Sequence, residues 1–143
     1  MSSEKLYTPD MLAAAVELAN YPRLGGEVRS GSARSPACGS TLEMDLLLAE
    51  DGRIGQIGMA VRACAVGQAA AAIFARHAPG RDGHAIAAAH DTMVAWLAGE
   101  GDAPDWPDLA LITPAKDYPG RHGAMLLPWK AAKAALSSAD AAS

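Results

Sequence analysis

Cys38 and Cys64 are the only cysteines in this 143-residue chain, and they carry the most distinctive chemistry it offers. Cys64 stands where a strand-like run hands over to an Ala-rich helical run, with Arg62 close in sequence. The partial positive charge of a helix N-terminus suits a reactive sulfur. Cys38 lies in the turn Pro36-Ala37-Cys38-Gly39, below an Arg-bearing stretch. Gly39 would let another molecule approach closely there. Cys38 precedes the first strand of an expected hairpin and Cys64 follows the second, so antiparallel pairing brings both thiols to one end. The competing reading is two small apolar side chains that are buried and inert. Spacing alone leaves both readings open.

A soft metal or cluster needs about four ligands, commonly thiolate or imidazole. Two cysteines fall short of that within one chain. Of the four histidines, His84 and His90 point to different helix faces. They and His77 read as solvent-facing or core residues. His122 lies in the loop before the last expected helix and is the auxiliary candidate. No Gly-x-Ser-x-Gly elbow, P-loop lysine or Gly-x-Gly-x-x-Gly is present. Glu43 and Asp45 share one strand face and read as solvated rather than as an acid–base pair. The acidic stretch from Glu100 to Asp108 lacks calcium-loop spacing. Trp96, Trp106 and Trp129 read as packing anchors.

The elements that must position the thiols are legible. Thr8-Pro9-Asp10 is a helix start, with Thr8 as cap and Pro9 at the first position. That helix is expected to run to about Asn20 and to end at Tyr21-Pro22. Gly25 to Gly39 reads as a long loop. Thr41 to Ala49 alternates apolar and polar residues and predicts a strand, turned at Glu50-Asp51-Gly52 into a second strand over Ile54 to Val61. Helices follow from about Ala65 to Arg76, from His84 to Leu97, and from near Ala124 to about Ser138. Pro128 restricts how early the last can begin.

Composition sets the frame. Half of the residues are apolar, 20% are charged and 5% are aromatic. This is expected to be one domain over residues 1–143, with 1–5 and 139–143 disordered. The net charge of −4 argues against a nucleic-acid partner. No apolar run approaches the ~20 residues of a membrane span. The N-terminus carries no signal-peptide pattern, so a cytoplasmic location and reduced thiols are expected.

Taken together, Leu6-Tyr7, Asn20-Tyr21-Pro22-Arg23, Pro36-Ala37-Cys38-Gly39, Cys64 at a helix start, Tyr118-Pro119-Gly120-Arg121 and Leu127-Pro128-Trp129-Lys130-Ala131 resemble the NifU/IscU family of iron–sulfur cluster assembly scaffolds. The long segment after Cys64 is most similar to the SufU-like branch. The resemblance implies an α+β fold: a small antiparallel sheet of about three strands against several helices, with a third strand over Glu27 to Ala33. It implies a scaffold or sulfur-transfer accessory protein, not a turnover enzyme. It also implies a cysteine desulfurase as partner. The family site uses three cysteines and an aspartate to hold a [2Fe–2S] cluster or zinc. Carried over, Cys38 and Cys64 are metal or cluster ligands, and Cys38 is a persulfide acceptor. Ser40 stands where the aspartate belongs, and Ala124 where the third cysteine belongs. Metal binding should therefore be weak or absent. His122, Ser40 and Arg121 are auxiliary candidates, and a homodimer could pool four thiols. The alternatives are a desulfurase sulfur acceptor or adaptor without a cluster, or a binding module that has lost both roles.

Overall fold

The computed structural model describes residues 6–142, with side chains through 137. The terminal disorder expected at 1–5 and 139–143 falls outside these residues, apart from the backbone of 139–142, which continues the last helix.

Helix α1 spans Pro9–Val16 and tightens into a 3-10 turn over Glu17–Asn20. Its start is as expected: the Met11 N–H donates to the Thr8 hydroxyl at 3.1 Å. Strands β1 (Arg29–Ser35), β2 (Ser40–Leu48) and β3 (Ile54–Arg62) form one antiparallel sheet in the order β1-β2-β3. Helix α2 spans Ala65–His77 and α3 spans Gly83–Leu97. Three short 3-10 turns, Leu109–Leu111, Thr113–Asp117 and Pro119–Arg121, lead into α4 over His122–Ala142.

The α+β class, the three-strand sheet and the helical cover match the sequence expectation. Leu42, Met44 and Leu46 of β2 are buried, as their alternation predicts. Helix α4 packs across β1 and β2 and also meets α2 and α3. Phe74, Trp106 and Trp129 form an aromatic knot with ring centroids 5.2 to 5.5 Å apart. The Trp106 indole N–H donates to the Ile73 carbonyl at 3.1 Å, so the knot is tied to α2.

Three local expectations are corrected. The stretch read as a loop contains β1, close to the third strand implied by the family layout but ending at Ser35. Helix α4 begins at His122, so Pro128 lies inside it rather than in its first turn. Residue 128 has no N–H for the carbonyl one turn earlier, that of Ala124, and packing around the aromatic knot outweighs the loss. Asp45 is not solvated but 1% exposed. It accepts from Arg23 Nε at 2.7 Å and Nη2 at 2.9 Å, from the Ser30 hydroxyl at 2.7 Å and from the Leu24 N–H at 3.0 Å. Arg23 thus clamps the segment after α1 onto the sheet.

Candidate functional site

The β1–β2 connection is a tight turn over residues 36–39, closed by the pair Ser35↔Ser40. Cys38 sits exposed on its tip. Gly39 has φ +73°, the left-handed conformation that the turn needs and that glycine adopts without strain. Beneath the sulfur lie two buried hydroxyls. Cys38 Sγ is 3.3 Å from Ser35 Oγ and 3.0 Å from Ser40 Oγ. Ser35 and Ser40 are only 2% and 4% exposed, so both hydroxyls are shielded from solvent.

This arrangement favours the thiolate. A thiol hydrogen can point at one hydroxyl, whereas a thiolate can accept from both once they rotate toward it. The Ser35 and Ser40 hydroxyls hold Cys38 below the ordinary thiol value, and Arg121 adds a smaller attraction. Burial opposes the shift only in part, because the sulfur faces solvent.

The second thiol arrives by β-sheet register. Thr41 pairs with Arg62, so the chain leaving β3 at Ala63 runs beside Ser40, and Cys64 follows. Cys64 is the N-cap of α2, half-buried, and its side chain makes no capping hydrogen bond. The Gln68 side-chain amide donates to the Ala63 carbonyl at 2.8 Å, and the Gln68 N–H donates to the Cys64 carbonyl at 3.0 Å. These bonds fix the backbone around Cys64.

Arg121 completes the group. Its Nη2 donates to the Tyr7 hydroxyl at 3.4 Å. It is held above its ordinary value first by Tyr7, with smaller contributions from the two nearby sulfurs. Its guanidinium therefore lies within electrostatic reach of both sulfurs and favours the Cys38 thiolate.

Ala124 occupies the remaining position. It is fully buried and meets Gly67 in the first turn of α2, where a Cβ at 67 would stand 3.4 Å from the Ala124 methyl. It supplies packing and no ligand. His122 turns elsewhere: its Nε2 is 2.6 Å from the Lys116 carbonyl, to which it donates. Among the described residues, no three His, Cys, Asp or Glu side chains are grouped so as to hold a metal ion. Two thiols, a serine and an alanine do not fit a resident metal.

The structure thus gathers Cys38, Ser40, Arg121 and Cys64 at one end of the sheet and ties His122 to the 116 carbonyl. Ser35 was not legible as a site residue, because the strand drawn over Glu27 to Ala33 stops short of it. Gly123 was also missed. A Cβ there would overlap the Ser35 hydroxyl and lie 2.9 Å from its Cβ, so the glycine lets α4 seat against the thiol hairpin.

The chain superimposes over its whole length on the N-terminal NifU-like protein of Brucella abortus. The TM-score is 0.87 at 26% identity, with all of both chains covered. The fold is NifU-like. The resemblance read from the sequence therefore holds in three dimensions. A second solved structure, from the thermophile Fervidobacterium islandicum, is assigned as an iron–sulfur cluster assembly scaffold for the SUF system. It matches with a TM-score of 0.80 at 18% identity, covering 94% of this chain and 98% of that one. No protein-family model matches the chain, and no curated protein sequence matches it significantly. Among the described residues of this NifU-like chain, no helix is long and apolar enough to cross a membrane.

Proposed function

We propose that this chain serves iron–sulfur cluster assembly as a scaffold-like, single-domain sulfur acceptor, taking a sulfane sulfur from a cysteine desulfurase onto Cys38. The observation that carries this is the exposed Cys38 sulfur resting on the buried Ser35 and Ser40 hydroxyls. In the family pattern, position 40 is an aspartate, whose charge works against a neighbouring thiolate unless a metal lies between them. A serine there does the opposite: it donates to the thiolate and needs no metal. The same replacement that spoils a metal site therefore leaves a thiol reactive by itself.

The chemistry asked of the chain is modest. The Cys38 thiolate attacks the outer sulfur of the desulfurase persulfide. A sulfur–sulfur bond forms on Cys38, and the desulfurase cysteine leaves as thiolate. The desulfurase performs the turnover, and this chain receives its product. Cluster or zinc binding by Cys38 and Cys64 of one chain would be weaker than at an intact site. Loss of outer-shell groups alone typically costs ~10–100-fold in affinity.

The test is incubation with desulfurase and cysteine, followed by peptide mapping of persulfide and measurement of iron and sulfide after reconstitution. The proposal expects persulfide on Cys38, its loss in Cys38→Ser, and little iron retained. Stoichiometric iron and sulfide in a dimer, lost in Cys64→Ser, would instead mean a scaffold that pools thiols across two chains. Absence of both persulfide and iron, in the wild type and in Cys64→Ser alike, would leave a binding module.

A further inference from the structure

Cys64 has no task in sulfur acceptance, yet the fold delivers it to the same end of the sheet as Cys38. Its backbone is held by the start of α2 while its sulfur makes no capping bond. Cys38, by contrast, rides on an exposed turn whose Gly39 has open space around it. One thiol sits at a helix start and the other on the exposed tip of a turn. Neighbouring strands lie about 4.8 Å apart. Thr41 of β2 pairs with Arg62 at the exit of β3, two residues before Cys64, and the Cys38 sulfur lies on Ser40, the residue before Thr41. A disulfide needs Cα atoms about 4.4–6.8 Å apart, so the turn and the start of α2 must approach to that separation for the two sulfurs to bond.

We infer that Cys64 is a resolving thiol, which discharges a persulfide on Cys38 as free hydrosulfide by forming a Cys38–Cys64 disulfide. This rests on Cys38 as the sulfur acceptor and adds what happens next. The Cys64 thiolate attacks Cys38 Sγ, the inner sulfur of the persulfide. The bond from Cys38 Sγ to the outer sulfur breaks, and a bond from Cys64 Sγ to Cys38 Sγ forms. The outer sulfur leaves with the bonding electron pair and its own proton as hydrosulfide. Counted from the two starting thiols, the sulfane sulfur gains two electrons and the cysteine pair loses two. A dithiol reductant must then reopen the disulfide to restore the chain. Arg121, within electrostatic reach of both sulfurs, places a positive charge near the departing hydrosulfide anion. A pair of thiols suffices for this chemistry, where a cluster would need more ligands.

The experiment loads the reduced, full-length protein under anaerobic conditions with inorganic polysulfide, so no desulfurase is required. Excess reagent is removed, and hydrosulfide release is followed without reductant beside non-reducing peptide maps. In the wild type, persulfide on Cys38 should disappear as hydrosulfide and a Cys38–Cys64 linked peptide appear together. The rates should not depend on protein concentration. In Cys64→Ser, persulfide should persist and hydrosulfide release should be lost. Serine is a good N-cap, so this variant should fold, which a thermal melt verifies. A wild-type persulfide as long-lived as that of Cys64→Ser would overturn the inference. So would sulfane sulfur accumulating on Cys64 in place of a disulfide. Neither result would bear on whether a desulfurase charges Cys38; failure of that charging would leave the polysulfide result standing.

Discussion

Two polar clusters on the same sheet show how differently this fold uses polar groups. At Asp45, a carboxylate that is 1% exposed accepts from two Arg23 nitrogens, the Ser30 hydroxyl and the Leu24 N–H. Its bonding capacity is well used, and the result is a clamp. At Cys38 the order is inverted: the hydroxyls of Ser35 and Ser40 are buried and the sulfur they contact is exposed. The first arrangement holds two chain segments together. The second prepares a nucleophile and leaves it open to another molecule. The Arg76 cluster belongs with the first kind. Arg76 makes two 2.8 Å bonds to Glu17 and one of 3.2 Å to Asp108, which His77 also contacts at 2.7 Å. It ties the end of α1 and the segment before α4 to α2.

Substitutions should separate the two kinds of cluster. The largest expected effect is that Cys38→Ser abolishes sulfur acceptance entirely while the melting temperature stays unchanged, because the side chain is exposed. Next, Asp45→Asn should cost about 2–4 kcal/mol in urea unfolding at neutral pH, by breaking charge-assisted bonds to a buried group. It should leave Cys38 alkylation unaltered. Arg23, Ser30 and the Leu24 N–H hold the Asp45 carboxyl below its ordinary value, the Arg23 bonds foremost. The stability this adds is present above the unfolded carboxylate value and is lost as pH falls through the lower folded value. Unfolding titrations in the acid range should therefore show a slope that Asp45→Asn reduces. Loss of thiol reactivity in Asp45→Asn would break the division between clamp and site.

Gly123→Ala should affect both properties. The new methyl overlaps the Ser35 hydroxyl, so α4 or the hairpin must shift, at about 1–3 kcal/mol. Displacing Ser35 should also slow alkylation of Cys38 at fixed pH. The smallest effects belong to Ser35→Ala and Ser40→Ala. Each removes one donor from the thiolate and should raise the pH midpoint of alkylation, at about 1 kcal/mol or less in stability. The double variant should raise the midpoint further.

Much of this was legible in the sequence. The β2–β3 hairpin followed from alternation around Glu50-Asp51-Gly52, and its antiparallel sense already put Cys38 and Cys64 at one end. Strand β1 was not legible from pattern, because Arg29–Ser35 is made of Arg, Ser, Gly and Ala and has no large apolar side chain to alternate. Ser35 was lost with it, since its role depends on pairing with Ser40 across a turn. Asp45 was misread for a related reason: a strand's outward face is solvated only where no other segment covers it, and Arg23 arrives from outside the hairpin. Position 40 was noted as a lost ligand. Its gain as a thiolate donor became visible only with the distance between the Ser40 hydroxyl and the sulfur.

The central claim is that Cys38 is a reactive thiol without a metal. The most direct measurement is its alkylation rate against pH in the presence of a strong chelator, with Cys64→Ser used to isolate the signal. The account predicts a midpoint below that of an ordinary cysteine, unchanged by the chelator and raised in the Ser35→Ala, Ser40→Ala double variant. A midpoint at or above the ordinary value, or one lowered only when zinc or iron is added, would contradict it.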